Sequence, residues 1–293
     1  MIKLIVSDLD GTLLTKFKSI TKENQEALIE AQKQGCILAL ATGRGYDSTQ
    51  QFVPMLKMDQ YNGYMIMNNG QQLIDLKNNK TTVNGYITKE DARKILAFAQ
   101  EHQIQLVMDG PNGFAFYSPE NLKIYRDIYR FLIKVLPHFK PILRRIHIFS
   151  LFGFLKSQDV KIINKPEDIV DNYDKVGLSH YKISLDKSMD ELKAAFKDHY
   201  EVMRVSDNWV DISPKGITKI VGIRQIMEIH GIKEDEVLTM GDSDNDVTMI
   251  EAFPHSVAME NANEKIKSLA KYMTKTNSEN GVAHAVNRFV LKK

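Results

Sequence analysis

Leu4-Ile5-Val6-Ser7-Asp8-Leu9-Asp10-Gly11-Thr12 begins as a short apolar run and stops abruptly in acids, a glycine and a hydroxyl. Two later stretches have the same form. Ile37-Leu38-Ala39-Leu40 runs into Ala41-Thr42-Gly43-Arg44, and Val237-Leu238-Thr239-Met240 runs into Gly241-Asp242-Ser243-Asp244-Asn245-Asp246. Apolar character that is continuous rather than alternating describes strands covered on both faces, as in a parallel sheet. Between the first two runs, Thr21 can cap a helix that places Ala27, Leu28 and Ala31 on one face and stops at Gly35. Strand, helix and strand make a βαβ unit. Further strands are expected at residues 64–67, before Asn68-Asn69-Gly70, and at 256–259, and a helix at 217–230 closed by Gly231 precedes the third run. Parallel strands joined by crossovers present their carboxyl ends at one sheet edge, where open α/β sheets bind ligands. Asp8, Thr42 and Asp242 are therefore expected to meet in space.

The middle of the chain has a different texture. A helix is predicted at 89–102 and a strand at 105–108, followed by an irregular aromatic and basic stretch with Tyr125, Tyr129, Phe131, Arg144 and Arg145. A strand at 182–185, a helix at 189–199 and strands at 201–205 and 209–212 complete an α+β series. The expected fold is α/β: a doubly wound, mostly parallel sheet formed by residues 1–83 and 212–293, with an inserted α+β cap domain at 84–211. A chain of 293 residues is long enough for both cores.

Composition narrows the classes of function. With 39 Lys plus Arg against 37 Asp plus Glu, the formal charge of +2 points to no nucleic-acid partner. The single Cys36 cannot form an intrachain disulfide and is expected as a small buried residue, which suits a cytoplasmic location. The longest apolar run, residues 146–155, falls short of the ~20 residues a membrane span requires, so no membrane association is expected.

Asp8 and Asp10 share one strand end, and Asp242, Asp244 and Asp246 would add negative charge beside them. Carboxylates that converge without compensation repel and raise one another's pKa values, and a divalent cation relieves this. All the candidate ligands are oxygens, so a hard ion, Mg²⁺, fits better than zinc. A calcium-sensing loop beginning at Asp242 is excluded, because Val247 and Phe253 stand where glycine and glutamate are needed. Thr42-Gly43-Arg44 offers a hydroxyl and backbone N–H groups of the kind that hold a phosphate. Cation and anion cradle together imply a small-molecule phosphate ester. One aspartate could attack the phosphoryl group while the other gives and then takes a proton, roles that Asp8 and Asp10 can divide.

Asp-x-Asp-Gly-Thr at 8–12, Thr-Gly-Arg at 42–44, a lysine before the last third and Gly-Asp-x-x-Asn-Asp at 241–246 resemble the four motifs of the haloacid dehalogenase superfamily. The place and size of the insertion are similar to the Cof-type phosphatases with an α/β (type IIB) cap. The resemblance covers essentially the whole chain. It implies that Asp8 is the nucleophile and Asp10 the acid/base, with Mg²⁺ held by Asp8, the Asp10 main-chain carbonyl and Asp242. It further implies that Thr42, Gly43 and Asn245 meet the phosphoryl group, that Lys219 offsets its charge, and that Asp246 supports the metal or the lysine. In the family the lysine is usually followed by glycine. Here Ile220 follows Lys219, while Lys215-Gly216 lies just upstream, so Lys215 is the alternative. The activity implied is Mg²⁺-dependent hydrolysis of sugar phosphates or similar metabolites. The rivals are a phosphotransferase or phosphomutase with the same core motifs, and a non-catalytic regulatory protein that binds a phosphorylated ligand.

Overall fold

The computed structural model describes residues 1–110, 113–136, 138, 152 and 160–292. Arg144, Arg145 and, Phe152 apart, the apolar run at 146–155 lie outside the described residues. The chain divides into two compact units, Met1–Asn84 with Ile217–Lys293, and Gly85–Gly216.

The first unit opens with β1 (Leu4–Ser7), α1 (Lys22–Lys33), β2 (Ile37–Ala41) and β3 (Tyr64–Met67), followed by a meander of β4 (Gln72–Asp75) and β5 (Lys80–Val83). Every residue of β1, β2 and β3 is buried, as continuous apolar runs require. Thr21 caps α1 by accepting the Asn24 N–H at 3.3 Å, and Ala27, Leu28 and Ala31 form its buried face. Cys36 is buried, its thiol donating to the Ile2 carbonyl at 3.3 Å.

The second unit contains α2 (Lys89–Glu101), β6 (Gln105–Gly110), β7 (Gly113–Tyr117), α3 (Glu120–Val135), β8 (Lys161–Ile162), β9 (Lys175–Ser179), α4 (Lys182–Phe196), β10 (Tyr200–Ser206) and β11 (Trp209–Pro214). Its sheet runs in the order β10-β11-β9-β6-β7-β8 and is antiparallel except where β7 meets β8. Alternation along β6 sorts the two faces: Leu106 and Met108 join the cluster under α2 and α4, whereas Val107 joins Tyr129 and Ile133 of α3.

Two expectations change here. Residues 182–185 are the first turn of α4, and the strand lies earlier, at β9. Lys182-Ile183-Ser184-Leu185 alternates over so short a window that it mimics period two. The governing repeat is Leu185, Ser188, Leu192 and Phe196, all buried at helical spacing, while Ile183 is 72% exposed. The stretch read as irregular contains β7 and α3. Gly113 at its start, just after Gly110-Pro111-Asn112, hid the strand, and the helix buries only a narrow stripe of Leu122, Arg126, Tyr129 and Ile133.

The chain then returns to the first unit through α5 (Lys219–His230), β12 (Val237–Gly241), α6 (Val247–Ala252), β13 (His255–Ala258), α7 (Glu264–Leu269), β14 (Tyr272–Met273) and α8 (Gly281–Val286). Gly231 closes α5 in the left-handed region at φ +62°. The completed sheet has the order β14-β13-β12-β1-β2-β3-β4-β5, parallel from β14 to β3 and antiparallel beyond. The architecture is the mostly parallel α/β fold anticipated from the apolar runs. Register positions the chemistry: Ser7 lies opposite Leu40 of β2 on one side and Met240 of β12 on the other. Asp8, Ala41-Thr42 and Gly241-Asp242 thus leave the sheet at one edge.

Candidate active site

Beyond Ser7 the chain turns back on itself. The Asp8 N–H donates to the Met240 carbonyl at 3.0 Å, and the Leu13 and Leu14 N–H groups return to the Asp8 and Leu9 carbonyls at 3.3 and 2.8 Å. Gly11 makes this turn possible at φ +85°, and a Cβ there would come within 2.7 Å of the Asp242 side-chain carbon. Beside it, Thr12 Oγ1 donates to Asp242 Oδ1 at 2.9 Å.

From the start of α5 comes Lys219, a wholly buried lysine. Its Nζ donates to Asp8 Oδ1 and to Asp246 Oδ1, each at 2.6 Å. Asp246 spends its other oxygen on the Asp242 and Ser243 N–H groups, at 2.9 and 3.1 Å, so it braces both the lysine and the β12 loop. Carboxylate oxygens of Asp8, Asp242 and Asp246 all lie within 4.8 Å of one another. One ammonium cannot neutralise three carboxylates. Burial accordingly pushes Asp8 up to about 8, with Lys219 opposing and the Asp246 and Asp242 charges reinforcing. Burial likewise raises Asp242 to about 6, against the hydrogen bond from Thr12. Burial alone would lower Lys219, but the carboxylates of Asp8 and Asp246 outweigh it and hold the ammonium charged.

Asp8 Oδ2 is buried and has no hydrogen-bond partner among the described residues. An unpartnered buried carboxylate oxygen, excess negative charge and an all-oxygen donor set fit a hard divalent cation such as Mg²⁺.

The β2 end carries the other half of the site. Thr42 is buried, and its Oγ1 accepts the Arg44 N–H at 3.2 Å. Its backbone is fixed to β3, its N–H donating to the Ile66 carbonyl and its carbonyl accepting the Asn69 N–H, both at 2.9 Å. A Cβ at Gly43 would lie 3.1 Å from Asn69 Oδ1, and Asn245 Nδ2 donates to that same oxygen at 3.0 Å. Asn69 thus links Gly43 to Asn245.

The structure therefore joins Asp8, Lys219, Asp242 and Asp246 directly, and gathers Thr42, Gly43 and Asn245 around Asn69. The Asp10 carboxylate is engaged elsewhere, by Arg44 and Lys18. Burial would raise its pKa, but the Arg44 and Lys18 hydrogen bonds outweigh that and lower it. Lys215 is exposed and donates to the Lys197 carbonyl at 3.0 Å, whereas Lys219 is the lysine on Asp8. Asp244, which the sequence placed among the acids beside Asp8, is exposed. Sequence reasoning did not single out the side chains of Thr12, Lys18, Arg44 and Asn69. Thr12 and Arg44 lie inside motifs whose other members carry the recognisable chemistry, and Asn69 follows the β3 run. Lys18, in a polar loop, carried no signal.

This geometry has known counterparts. The family model of the haloacid dehalogenase-like hydrolases matches residues 5–286. Phosphatase YwpJ of Bacillus subtilis is 28% identical, covering 98% of this chain and 100% of that one. A second B. subtilis relative, the 5-amino-6-(5-phospho-D-ribitylamino)uracil phosphatase YcsE, is 27% identical over 99% of this chain and 96% of its own. The crystal structure of a haloacid dehalogenase-like hydrolase from Bacteroides thetaiotaomicron superposes with a TM-score of 0.77 at 26% identity, covering 98% of this chain and 99% of that one. Among the described residues no helix is long and apolar enough to cross a membrane. With nearly its whole length matched and its acids gathered at the strand ends, the chain belongs to the haloacid dehalogenase-like hydrolase family.

Proposed function

We propose that this enzyme is a phosphatase that hydrolyses small phosphate monoesters, sugar phosphates and similar metabolites, with Mg²⁺ and through an aspartyl-phosphate on Asp8. The observation that carries the reading is the buried Lys219 ammonium on Asp8 and Asp246, with Asp242 beside them. That arrangement makes little sense as a stabilising device, since buried charges outnumbering their counter-ion are costly. It suits a site built to receive a cation and a phosphoryl group.

In the first step Asp8 attacks phosphorus, the P–O ester bond breaks, and Asp10 gives a proton to the leaving oxygen from its protonated form, which the Arg44 and Lys18 hydrogen bonds make the minor one. In the second, water attacks phosphorus, Asp10 takes its proton, and the bond to Asp8 breaks to release inorganic phosphate. Thr42, Gly43 and Asn245 supply donors to the phosphoryl oxygens, Lys219 offsets their charge, and Asp246 keeps Lys219 in place. Asp8, the Asp10 main-chain carbonyl and Asp242 would hold Mg²⁺, which would neutralise the carboxylates left over by Lys219 and stabilise charge on the phosphoryl group.

Residues 1–83 and 212–293 are read as the catalytic domain and 84–211 as the cap that selects the substrate. The name of YcsE, with its phosphorylated ribityl chain, supports a primary phosphate ester of sugar type. The single, buried Cys36 supports a cytoplasmic location.

The test is phosphate release across a panel of sugar, nucleotide and cofactor phosphates, with Mg²⁺ and with chelator. Metal-dependent turnover is expected, and Asp8→Asn should lower it by up to about 10⁶-fold. A wild-type protein inactive on the whole panel, or an undiminished Asp8→Asn variant, would overturn the reading.

A further inference from the structure

Asp10 stands apart from the other acids of the site in how it is held. Both its oxygens are taken by a guanidinium: Arg44 Nε donates to Oδ2 and Arg44 Nη2 to Oδ1, while Lys18 Nζ donates to Oδ1 from the loop beyond β1. A two-point Arg–carboxylate pair fixes the position and the plane of the carboxylate, which a single point charge does not. The two cations are unequal. The Lys18 side chain is 61% exposed, as an ordinary surface partner would be, whereas that of Arg44 is 24% exposed and its backbone is anchored. The Arg44 N–H is held by Thr42 Oγ1 at 3.2 Å, and its carbonyl accepts the Asn68 N–H at 3.1 Å. The turn that presents Thr42 and Gly43 therefore also sets where the Asp10 carboxylate points.

We propose that Arg44 is a positioning residue that orients Asp10 as the base of the second half-reaction, the hydrolysis of the aspartyl-phosphate, with Lys18 as an outer brace. The proposal rests on the phosphatase reading above. In that half-reaction a water oxygen bonds to phosphorus, its proton passes to an Asp10 oxygen, and the phosphorus–oxygen bond to Asp8 breaks with its electron pair returning to the Asp8 carboxylate. A misaimed base slows this step and leaves the preceding one intact whenever the leaving group departs without a proton.

p-Nitrophenyl phosphate has such a leaving group. Its kcat/KM reports steps up to phosphorylation of Asp8, and its kcat includes dephosphorylation. Arg44→Gln is expected to lower kcat by about 10²-fold, the scale of a misplacement near 1 Å, with kcat/KM changed only a few-fold. A pre-steady-state burst approaching one nitrophenolate per enzyme should appear. Asp10→Asn should show the same split, and Arg44→Gln in the Asp10→Asn background should slow kcat no further, because the residue acts only through Asp10. Arg44→Lys, which keeps the charge without the fork, should fall between wild type and Arg44→Gln. It also carries the test if the glutamine variant does not fold, thermal unfolding being followed for both. A fall of kcat and kcat/KM together, or an additive loss in the double variant, overturns the proposal while leaving the phosphatase reading intact. A wild-type protein that hydrolyses no ester overturns that reading, and the proposal with it.

Discussion

Lys219 is where the electrostatics of the site is decided, because a wholly buried ammonium shares its donors between two carboxylates while a third stands within 4.8 Å. Lys219→Met would leave these acids without their internal cation. Removing one partner of a buried ionic cluster costs about 3–5 kcal/mol, so the variant is expected to lose that much stability in chelator. Mg²⁺ should restore part of it. Lys215→Met removes only an exposed hydrogen bond to the Lys197 carbonyl, and its stability should stay within about 0.5 kcal/mol of wild type with turnover unchanged. Urea unfolding of both variants with and without Mg²⁺ makes the comparison, and an equal cost for the two would remove Lys219 from the centre of the site. The meeting of Asp8, Thr42 and Asp242 at one sheet edge was legible in the sequence because each sits at a strand end that an apolar run announces. Lys219 rested on the family resemblance, with Lys215 as its alternative. The grips of Thr12 on Asp242, of Asn245 on Asn69 and of Lys18 on Asp10 were not legible. They are long-range side-chain contacts set by how loops fold back, and no local pattern encodes them.

At the scale of the element, α2 shows how a helix start is joined to a distant strand. Thr88 Oγ1 accepts the Asp91 N–H and donates to Asp91 Oδ2, each at 3.1 Å, and Tyr200 of β10 donates to that same Oδ2 at 2.8 Å. Burial would raise Asp91, but hydrogen bonds from Lys94, Tyr200 and Thr88 outweigh it and hold the carboxyl below its ordinary 3.8. Burial, and then the Asp91 bond, push the Tyr200 hydroxyl from 10.0 up to about 12. A depressed carboxyl contributes stability that is present above 3.8 and is lost as pH falls through its lower folded value. A raised phenol contributes stability that is complete below 10.0 and is lost as pH rises through about 12. Tyr200→Phe should therefore cost about 1.5–3 kcal/mol at pH 7, the worth of a hydrogen bond to a charged group. The gap to wild type should narrow in acid, once Asp91 is protonated. Unfolding midpoints for both proteins at neutral and acid pH measure this, and a constant gap would show that Asp91 is not the acceptor that matters. The strands of the parallel sheet were readable because burial on both faces leaves an unbroken apolar run. α4 was misread at its first turn because four residues are too few to separate period two from period 3.6.

On the scale of the whole molecule, the insertion leaves the first unit at Asn84 and returns at Ile217. Both ends are tied to the same place in that unit. Asn84 Nδ2 donates to the Gly70 carbonyl at 2.8 Å, and Gln225 of α5 donates to Asn84 Oδ1 at 2.6 Å, so the outgoing strand and the returning helix are joined directly. Among the described residues, the apolar cluster of this unit draws none from 85–216, and its sheet is formed without them. A chain in which a short Gly-Ser linker replaces 85–216 thus retains every internal contact that defines the first core. It should unfold cooperatively, as an independent domain does. If the site chemistry belongs to this unit and substrate choice to the other, the shortened protein should still release phosphate from p-nitrophenyl phosphate in Mg²⁺ while its preference among sugar phosphates flattens. Cooperative unfolding with no turnover would mean that the second unit contributes to the chemistry itself. Retained discrimination among the sugar esters would place specificity in the loops at the sheet edge, where Phe17 stands 79% exposed next to Lys18 and gives the first residue to substitute.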